Sequence, residues 1–260
     1  MTSVSPKKSL GQHFLVDRNV LGVIERLARL EANDVVVEIG PGLGVLTTFL
    51  ADRVRHVHAI ELDRGLEGPL GEALAGRTNV DLVFGDALAF DFDSLDPRPS
   101  KLVANLPYNV ATPLVAETLI HVSALQSWCV MVQREVAERF FAEPGTKAYG
   151  AVSVLVRLHA RRTGFHPVSR AVFRPPPNVD SALVAFERIP PPRNGEQVRR
   201  VVTAAFGHRR KTLANSVALA GLATRQDAAT ALETIGRRPD VRAEALQPDE
   251  FVHLTEALTS

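Results

Sequence analysis

Short runs of Val, Ile, Leu and Ala recur through the first half of the chain, each followed by a stretch of helical character. Val35–Ile39, His56–Leu62, Val80–Phe84, Lys101–Asn105 and Ser127–Gln133 read as strands. Between and after them, Gly44–Val54, Asp63–Ala75, Thr112–His121 and Arg134–Phe141 read as helices, the second shortened by Gly65, Gly68, Pro69 and Gly71, the third with Pro113 in its first turn. Nearly continuous apolar strands have no polar face to give to water. Parallel neighbours need long crossovers, and a helical crossover covers the sheet. The alternation therefore predicts a doubly wound α/β domain, with helices on both faces of a mostly parallel sheet.

The pattern changes after Gly150. Ala151–Ala160 reads as a helix, and Thr163–Val168 and Ser181–Arg188 as two strands able to pair as an antiparallel edge. Ile189-Pro190-Pro191-Pro192-Arg193-Asn194-Gly195 is a linker by composition. Beyond it come only helical stretches: Gln197–Phe206, Arg210–Ala220, Arg225–Ile235 and Pro248–Leu258. The expected division is residues 1–189, an α/β domain, and 190–260, a small all-α domain.

Composition sets outer bounds. With 30 Lys+Arg against 29 Asp+Glu the net charge is +1, which excludes a uniformly basic coat for nucleic acid but not a local basic face. The single cysteine, Cys129, lies in an apolar run and is expected to be a buried structural thiol. Residues 1–10 lack the apolar core of a secretory signal, and no apolar run reaches the ~18 residues of a membrane span, so a cytoplasmic protein is expected.

The first strand ends in Glu38-Ile39-Gly40-Pro41-Gly42-Leu43-Gly44, and a helix follows. Glycines at such a turn, Gly40 and Gly42 here, let the backbone approach a ligand closely. The spacing is G-x-G-x-G, not the G-x-G-x-x-G of dinucleotide folds, because Val45 stands where the last glycine would be. Glu61 ends the second strand 21 residues after Gly40, where a carboxylate can accept from both hydroxyls of a ribose. Asp86, in Gly85-Asp86-Ala87, follows the third strand along the same crevice. Acids at both places beside this loop fit a nucleoside-sulfonium cofactor; NAD, the competing ligand, suits the spacing less well.

The fourth strand ends in Asn105-Leu106-Pro107-Tyr108. An adenine amine is a poor nucleophile because its lone pair is delocalised into the ring. Two acceptors binding its hydrogens favour a pyramidal nitrogen with the lone pair aimed outward. The Asn105 side-chain oxygen and the Leu106 carbonyl could supply them, Pro107 would stiffen the turn, and Tyr108 offers a ring for stacking. Taken alone, the tetrapeptide also suits a plain tight turn.

Together these segments resemble the ribosomal RNA adenine N6-dimethyltransferases, in particular their bacterial small-subunit branch. The likeness spans nearly the whole chain: Lys8-Ser9-Leu10-Gly11-Gln12-His13-Phe14-Leu15, the glycine loop, Asn105–Asn109 with Thr112-Pro113, Val172–Ser181, Phe206–Leu213 and Leu246–Phe251. The resemblance implies a Rossmann-like S-adenosylmethionine-dependent methyltransferase that gives two methyl groups to each of two adjacent adenosines near the 3′ end of 16S rRNA, late in assembly of the small ribosomal subunit. It implies cofactor contacts at His13, Leu15, Gly40, Gly42, Glu61 and Asn105, with Asp86 and the Ala87 backbone on the cofactor adenine. It also implies a catalytic set of Asn105, Leu106, Pro107 and Tyr108, with Phe173 covering the target base opposite Tyr108. The family more often carries Asn where this chain has His13.

Charge read by windows singles out an RNA track. From Pro144 to Val179 there are six bases and no acids; from Arg193 to Lys211 six bases face Glu196 alone. Arg161, Arg162, Arg209, Arg210 and Lys211 are the expected phosphate contacts. His56 and His58 alternate on a strand with no Cys or His cluster nearby in sequence, so no metal is expected. A monomer is expected. The rivals are a 23S rRNA adenine dimethyltransferase of the macrolide-resistance type and a non-catalytic RNA-binding or transcription factor on the same scaffold.

Overall fold

The structure is a computed structural model that describes residues 7, 12–208 and 210–259. By its contacts the chain forms two units: Met1–Ala137 with Arg161–Arg188, and Glu138–Ala160 with Ile189–Ser260.

The first unit is built on a seven-stranded sheet. Its elements in chain order are β1 (Phe14–Leu15), α1 (Asn19–Ala28), β2 (Val35–Ile39), α2 (Val45–Ala51), β3 (His56–Glu61), α3 (Glu67–Ala73), β4 (Val80–Phe84), β5 (Lys101–Asn105), α4 (Ala111–His121), β6 (Ser127–Gln133) and α5 (Arg134–Phe140), the last running across the division. After α6 (Ala151–His159) come β7 (Ala160–Val168), β8 (Phe173–Arg174) and β9 (Ser181–Arg188). The strand order is β4-β3-β2-β5-β6-β9-β7. The first five are mutually parallel, and β9 runs antiparallel to β6. Every side chain of β2 is buried, as expected of a strand covered on both faces. Cys129 is buried within β6, where burial pushes its thiol up to about 12, so it is a structural thiol.

Two features escape the sequence reading. Helix α1 buries Val20, Leu21, Ile24 and Ala28, an amphipathic face that the residues do encode. The two-residue ladder β1–β8 pairs Phe14 with Arg174 and Leu15 with Phe173 across about 160 positions, far too short to carry a period.

The second unit holds α6, α7 (Gly195–Phe206), α8 (Leu213–Leu219), α9 (Arg225–Thr234) and α10 (Pro248–Thr259). Its own core includes Val154, Val198, Val202, Leu213, Leu232 and Phe251. The segment Glu138–Ala160, which precedes the proline-rich linker, belongs to this unit by its contacts. Tyr149 joins it by donating its hydroxyl to the Leu246 carbonyl at 2.8 Å. No helix among the described residues is long and apolar enough to cross a membrane.

Candidate active site

Strand β2 lies between β3 and β5, so the chain crosses from one half of the sheet to the other at β2 and β5. A crevice opens at such a switch point, outside the carboxyl ends of the strands. A cleft of about 1050 Å³, counting its open mouth, lies there.

The glycine loop forms its floor. Gly40, Gly42 and Gly44 all take positive φ, and α2 begins directly after. Gly42 is the most constrained. A Cβ there would lie 3.0 Å from the Phe14 ring, and its N–H donates to Glu61 Oε2 at 3.1 Å. Gly40 faces Pro107, whose ring would meet an added Cβ at 3.4 Å. The loop thus meets the end of β5 backbone to ring.

Glu61 accepts from both Gly42 and Asp63 N–H, the latter at 2.9 Å. Burial raises its pKa, and those hydrogen bonds hold the rise down. Asp86 lines the cleft and is exposed, with Oδ1 taken by the Leu88 N–H at 2.9 Å. Ala87 lines the cleft beside it.

Sequence reasoning did not assign Glu38 a role. It is 1% exposed on β2, lines the same cleft, and burial pushes its carboxyl up to about 8. The Thr47 hydroxyl offsets this and Glu61 adds to it. Neither Glu38 Oε2 nor Thr47 Oγ1 reaches a partner at hydrogen-bonding geometry. An acid one residue before Ile39 and the loop was the available signal. The lining suits an adenosyl sulfonium ligand: a glycine loop without side chains to bar close approach, the buried Glu38 carboxyl with Oε2 unpartnered, and acids at Glu61 and Asp86 for hydroxyls and an adenine edge.

Asn105 donates Nδ2 to the His13 carbonyl at 3.2 Å. That bond fixes which way the amide faces, leaving Oδ1 as the group turned elsewhere. Leu106 is 1% exposed and donates its N–H to Met131 at 3.0 Å. Tyr108 is half-buried, its hydroxyl 2.5 Å from Ser181 Oγ. Burial raises the Tyr108 pKa, so the phenol stays protonated.

His13 lines the cleft, but its ring donor is committed. Nδ1 lies 2.8 Å from the Pro175 carbonyl, which only accepts, so Nδ1 carries the proton. The ring also sits 5.5 Å from that of Tyr108, tilted by 32°. Leu15 lines the cleft from β1. Lys7 and Gln12 both bind Asp63, at 2.6 and 2.9 Å, and the Lys7 ammonium holds Asp63 below the usual carboxylate range.

Phe173 is the exception. It is 1% exposed, packs in the sheet core with Leu15, Ile24 and Met131, and does not line the cleft. Phe173 pairs with Leu15 in the β1–β8 ladder. Arg161, Arg162, Arg210 and Lys211 are exposed, and Arg161 is paired with Glu187. Arg209 and Lys8–Gly11 lie outside the described residues.

The sequence profile described as ribosomal RNA adenine dimethylase matches residues 4–260. The chain belongs to that family. Among its relatives is the ribosomal RNA small subunit methyltransferase A of Rubrobacter xylanophilus, 48% identical over 250 residues, covering 96% of this chain and 94% of the relative. Of solved structures, a dimethyladenosine transferase from Plasmodium falciparum shares the fold with a TM-score of 0.76 at 23% identity, over 93% of this chain and 96% of that one. A 23S rRNA methyltransferase, ErmE, gives a TM-score of 0.68 at 28% identity, over 95% of this chain and all of that one. Within the adenine dimethylase family, then, the fold is a Rossmann-like methyltransferase domain with a helical C-terminal region.

Proposed function

We propose that the protein is an S-adenosylmethionine-dependent methyltransferase that dimethylates N6 of two adjacent adenosines near the 3′ end of 16S rRNA, late in small-subunit assembly. The observation that carries it is Asn105: its amide is held so that a carbonyl oxygen, not an amino group, is left for the target amine. The 48% identity to a small-subunit methyltransferase, against 28% to ErmE, favours 16S over 23S rRNA. The non-catalytic rival leaves the acid-lined glycine cleft without a use.

S-adenosylmethionine supplies the activated methyl group. The glycine loop, Glu38, Glu61, Asp86 and the Ala87 backbone would hold it, with Leu15 on the wall. The target adenine leaves the RNA stack and enters the cleft. Tyr108 gives it a face to stack on. Asn105 Oδ1 and the Leu106 carbonyl accept its two amine hydrogens, which aims the nitrogen lone pair along the line of attack. No residue of the set need act as a strong base, and the proton released after transfer goes to solvent. Rate comes from holding two reactants in line. His13 works by its backbone carbonyl on Asn105, and Phe173 by fixing β1, not as a second stacking ring. Residues 1–189 carry the chemistry and 190–260 contribute RNA contacts through Arg210 and Lys211, with Arg161 and Arg162 on the first part. We place this work in the cytoplasm, by a monomer.

The test is transfer of tritiated methyl groups to unmethylated 30S particles, with 23S rRNA and naked 16S rRNA alongside. Label in the 30S particle, at two adjacent adenosines, is expected. Label only in 23S rRNA overturns the assignment, and failure of S-adenosylmethionine to bind in titration calorimetry favours the binding-module reading.

A further inference from the structure

His56 and His58 lie two residues apart on β3, so both side chains leave the same face of the sheet. The third group comes from the neighbouring strand. Asp81 of β4 is the ladder partner of His58. Its Oδ2 lies 2.9 Å from His56 Nε2 and 3.5 Å from His58 Nδ1. One ligand atom from each of the three residues falls within 4.8 Å of the others. Donors in a tetrahedron around a zinc-sized ion stand roughly 3.3–3.6 Å apart, close to the two distances from Asp81.

The protonation pattern adds a second argument. The His58 side chain is 1% exposed. Its Nε2 lies 2.8 Å from the Pro97 carbonyl, and a carbonyl only accepts, so Nε2 bears the proton. Nδ1 is then a bare lone pair, buried, without a hydrogen-bond partner, facing a carboxylate oxygen. Two acceptors thus face one another at 3.5 Å.

We propose that His56 Nε2, His58 Nδ1 and the Asp81 carboxylate form a three-ligand site for a divalent transition-metal ion of the zinc class, with water as fourth ligand. Two imidazoles and one carboxylate suit zinc, cobalt or nickel rather than magnesium or calcium, which prefer oxygen throughout. The His58 N–H on the Pro97 carbonyl is the outer hydrogen bond that orients a ligating histidine. Ligation through His56 Nε2 shifts that ring's proton to Nδ1, so it binds as neutral imidazole. Asp81, with its side chain 54% exposed, gives the ion a way in. His56 opens β3 and Glu61 closes it, so the site stands away from the transfer cleft. An ion there would tie β4, the edge strand, to β3, ahead of the turn that carries Asp86. Sequence reading expected no metal because it looked for ligands along the chain. Asp81 is 23 residues beyond His58 and is brought in only by strand pairing.

The test is zinc titration of the full-length, untagged chain by calorimetry, with the visible spectrum of the cobalt form as a report on geometry. One ion per chain and a four-coordinate cobalt spectrum are expected. Asp81→Asn, at an exposed position, and His56→Gln, at a partly buried one, should each weaken binding by about tenfold or more. Far-UV circular dichroism of both variants should match the parent, which separates loss of a ligand from loss of fold. No binding by the unaltered chain overturns the proposal. Unchanged affinity in both variants also overturns it, since the ion would then sit on other histidines.

Discussion

Replacing Glu38 by Gln keeps the shape of the side chain and removes its titration. The fully buried Glu38 carboxyl titrates near pH 8 in the folded chain, against 4.5 for an ordinary glutamate, chiefly through burial. The sign follows from proton binding. The folded state holds the Glu38 proton more tightly than the unfolded state does. Its contribution to stability is therefore whole below about pH 4.5 and is lost as pH rises through the folded value, near 8. At about 1.36 kcal/mol per unit, a shift from 4.5 to about 8 sets a ceiling of about 5 kcal/mol across that window. Even half of that is large against domain stabilities of ~5–15 kcal/mol.

In the Glu38→Gln variant this slope is absent, while Glu61 still titrates in both proteins and largely cancels in the comparison. The stability of Glu38→Gln minus that of the parent should thus rise by several kcal/mol between about pH 5 and pH 8.5. Any fixed cost of burying an amide shifts the whole difference curve and leaves its slope alone. Trp128 makes the assay specific. It is the only tryptophan, 1% exposed on β6 of the same sheet, so its fluorescence in urea follows the unit that holds Glu38. Parallel stability curves for the two proteins across that range would refute the reasoning, because Glu38 would then ionise in the fold as readily as in the unfolded chain.

Other substitutions probe the cleft. Asn105→Ala should lower kcat by about 10²–10³, as removal of one oriented polar group does; near-normal methyl transfer removes Asn105 from the mechanism. Tyr108→Ala should lose on the order of 1–3 kcal/mol of stacking, read as target affinity, whereas Tyr108→Phe, which gives up only the Ser181 bond, should keep most of it. Gly42→Ala places a side chain at φ +60°, a cost of about 1–2 kcal/mol, and drives its Cβ against Phe14, so S-adenosylmethionine affinity should fall; parent-like affinity counts against a close backbone approach. Arg210→Ala with Lys211→Ala should reduce the slope of log K against log salt by about two, one phosphate each, and an unaltered slope would remove both from the RNA track.

What the sequence made legible was local. The five parallel strands, the loop at Gly40–Gly44 and the acids at Glu61 and Asp86 all follow from residues within one strand–turn–helix unit, where period, glycine and terminal acid sit close together. What it hid depends on pairing between distant segments. Phe173, which the family resemblance set opposite Tyr108, pairs with Leu15 in a ladder between distant segments and is buried in the core. Asp81 is far from His56 and His58 along the chain, and strand register sets it against His58. Glu38 was visible as an acid, but its orphaned oxygen and raised pKa arise from burial on both faces of the sheet, which no local pattern measures.

The same distinction bears on His13, where the family resemblance implies asparagine more often. An asparagine amide can face either way, and the two orientations are opposites chemically: oxygen outward accepts the hydrogens of an amine, nitrogen outward repels them. What selects the useful orientation at Asn105 is the acceptor behind it, and that acceptor is the backbone carbonyl of residue 13. A carbonyl is common to every residue type. The side chain at that position has a separate task, for its Nδ1–H reaches the Pro175 carbonyl and so links the N-terminal segment to the proline-rich turn. An asparagine amide can donate in the same sense. Histidine is therefore compatible here because the chemistry at Asn105 asks residue 13 for a carbonyl in the right place, and asks its side chain only for one donor.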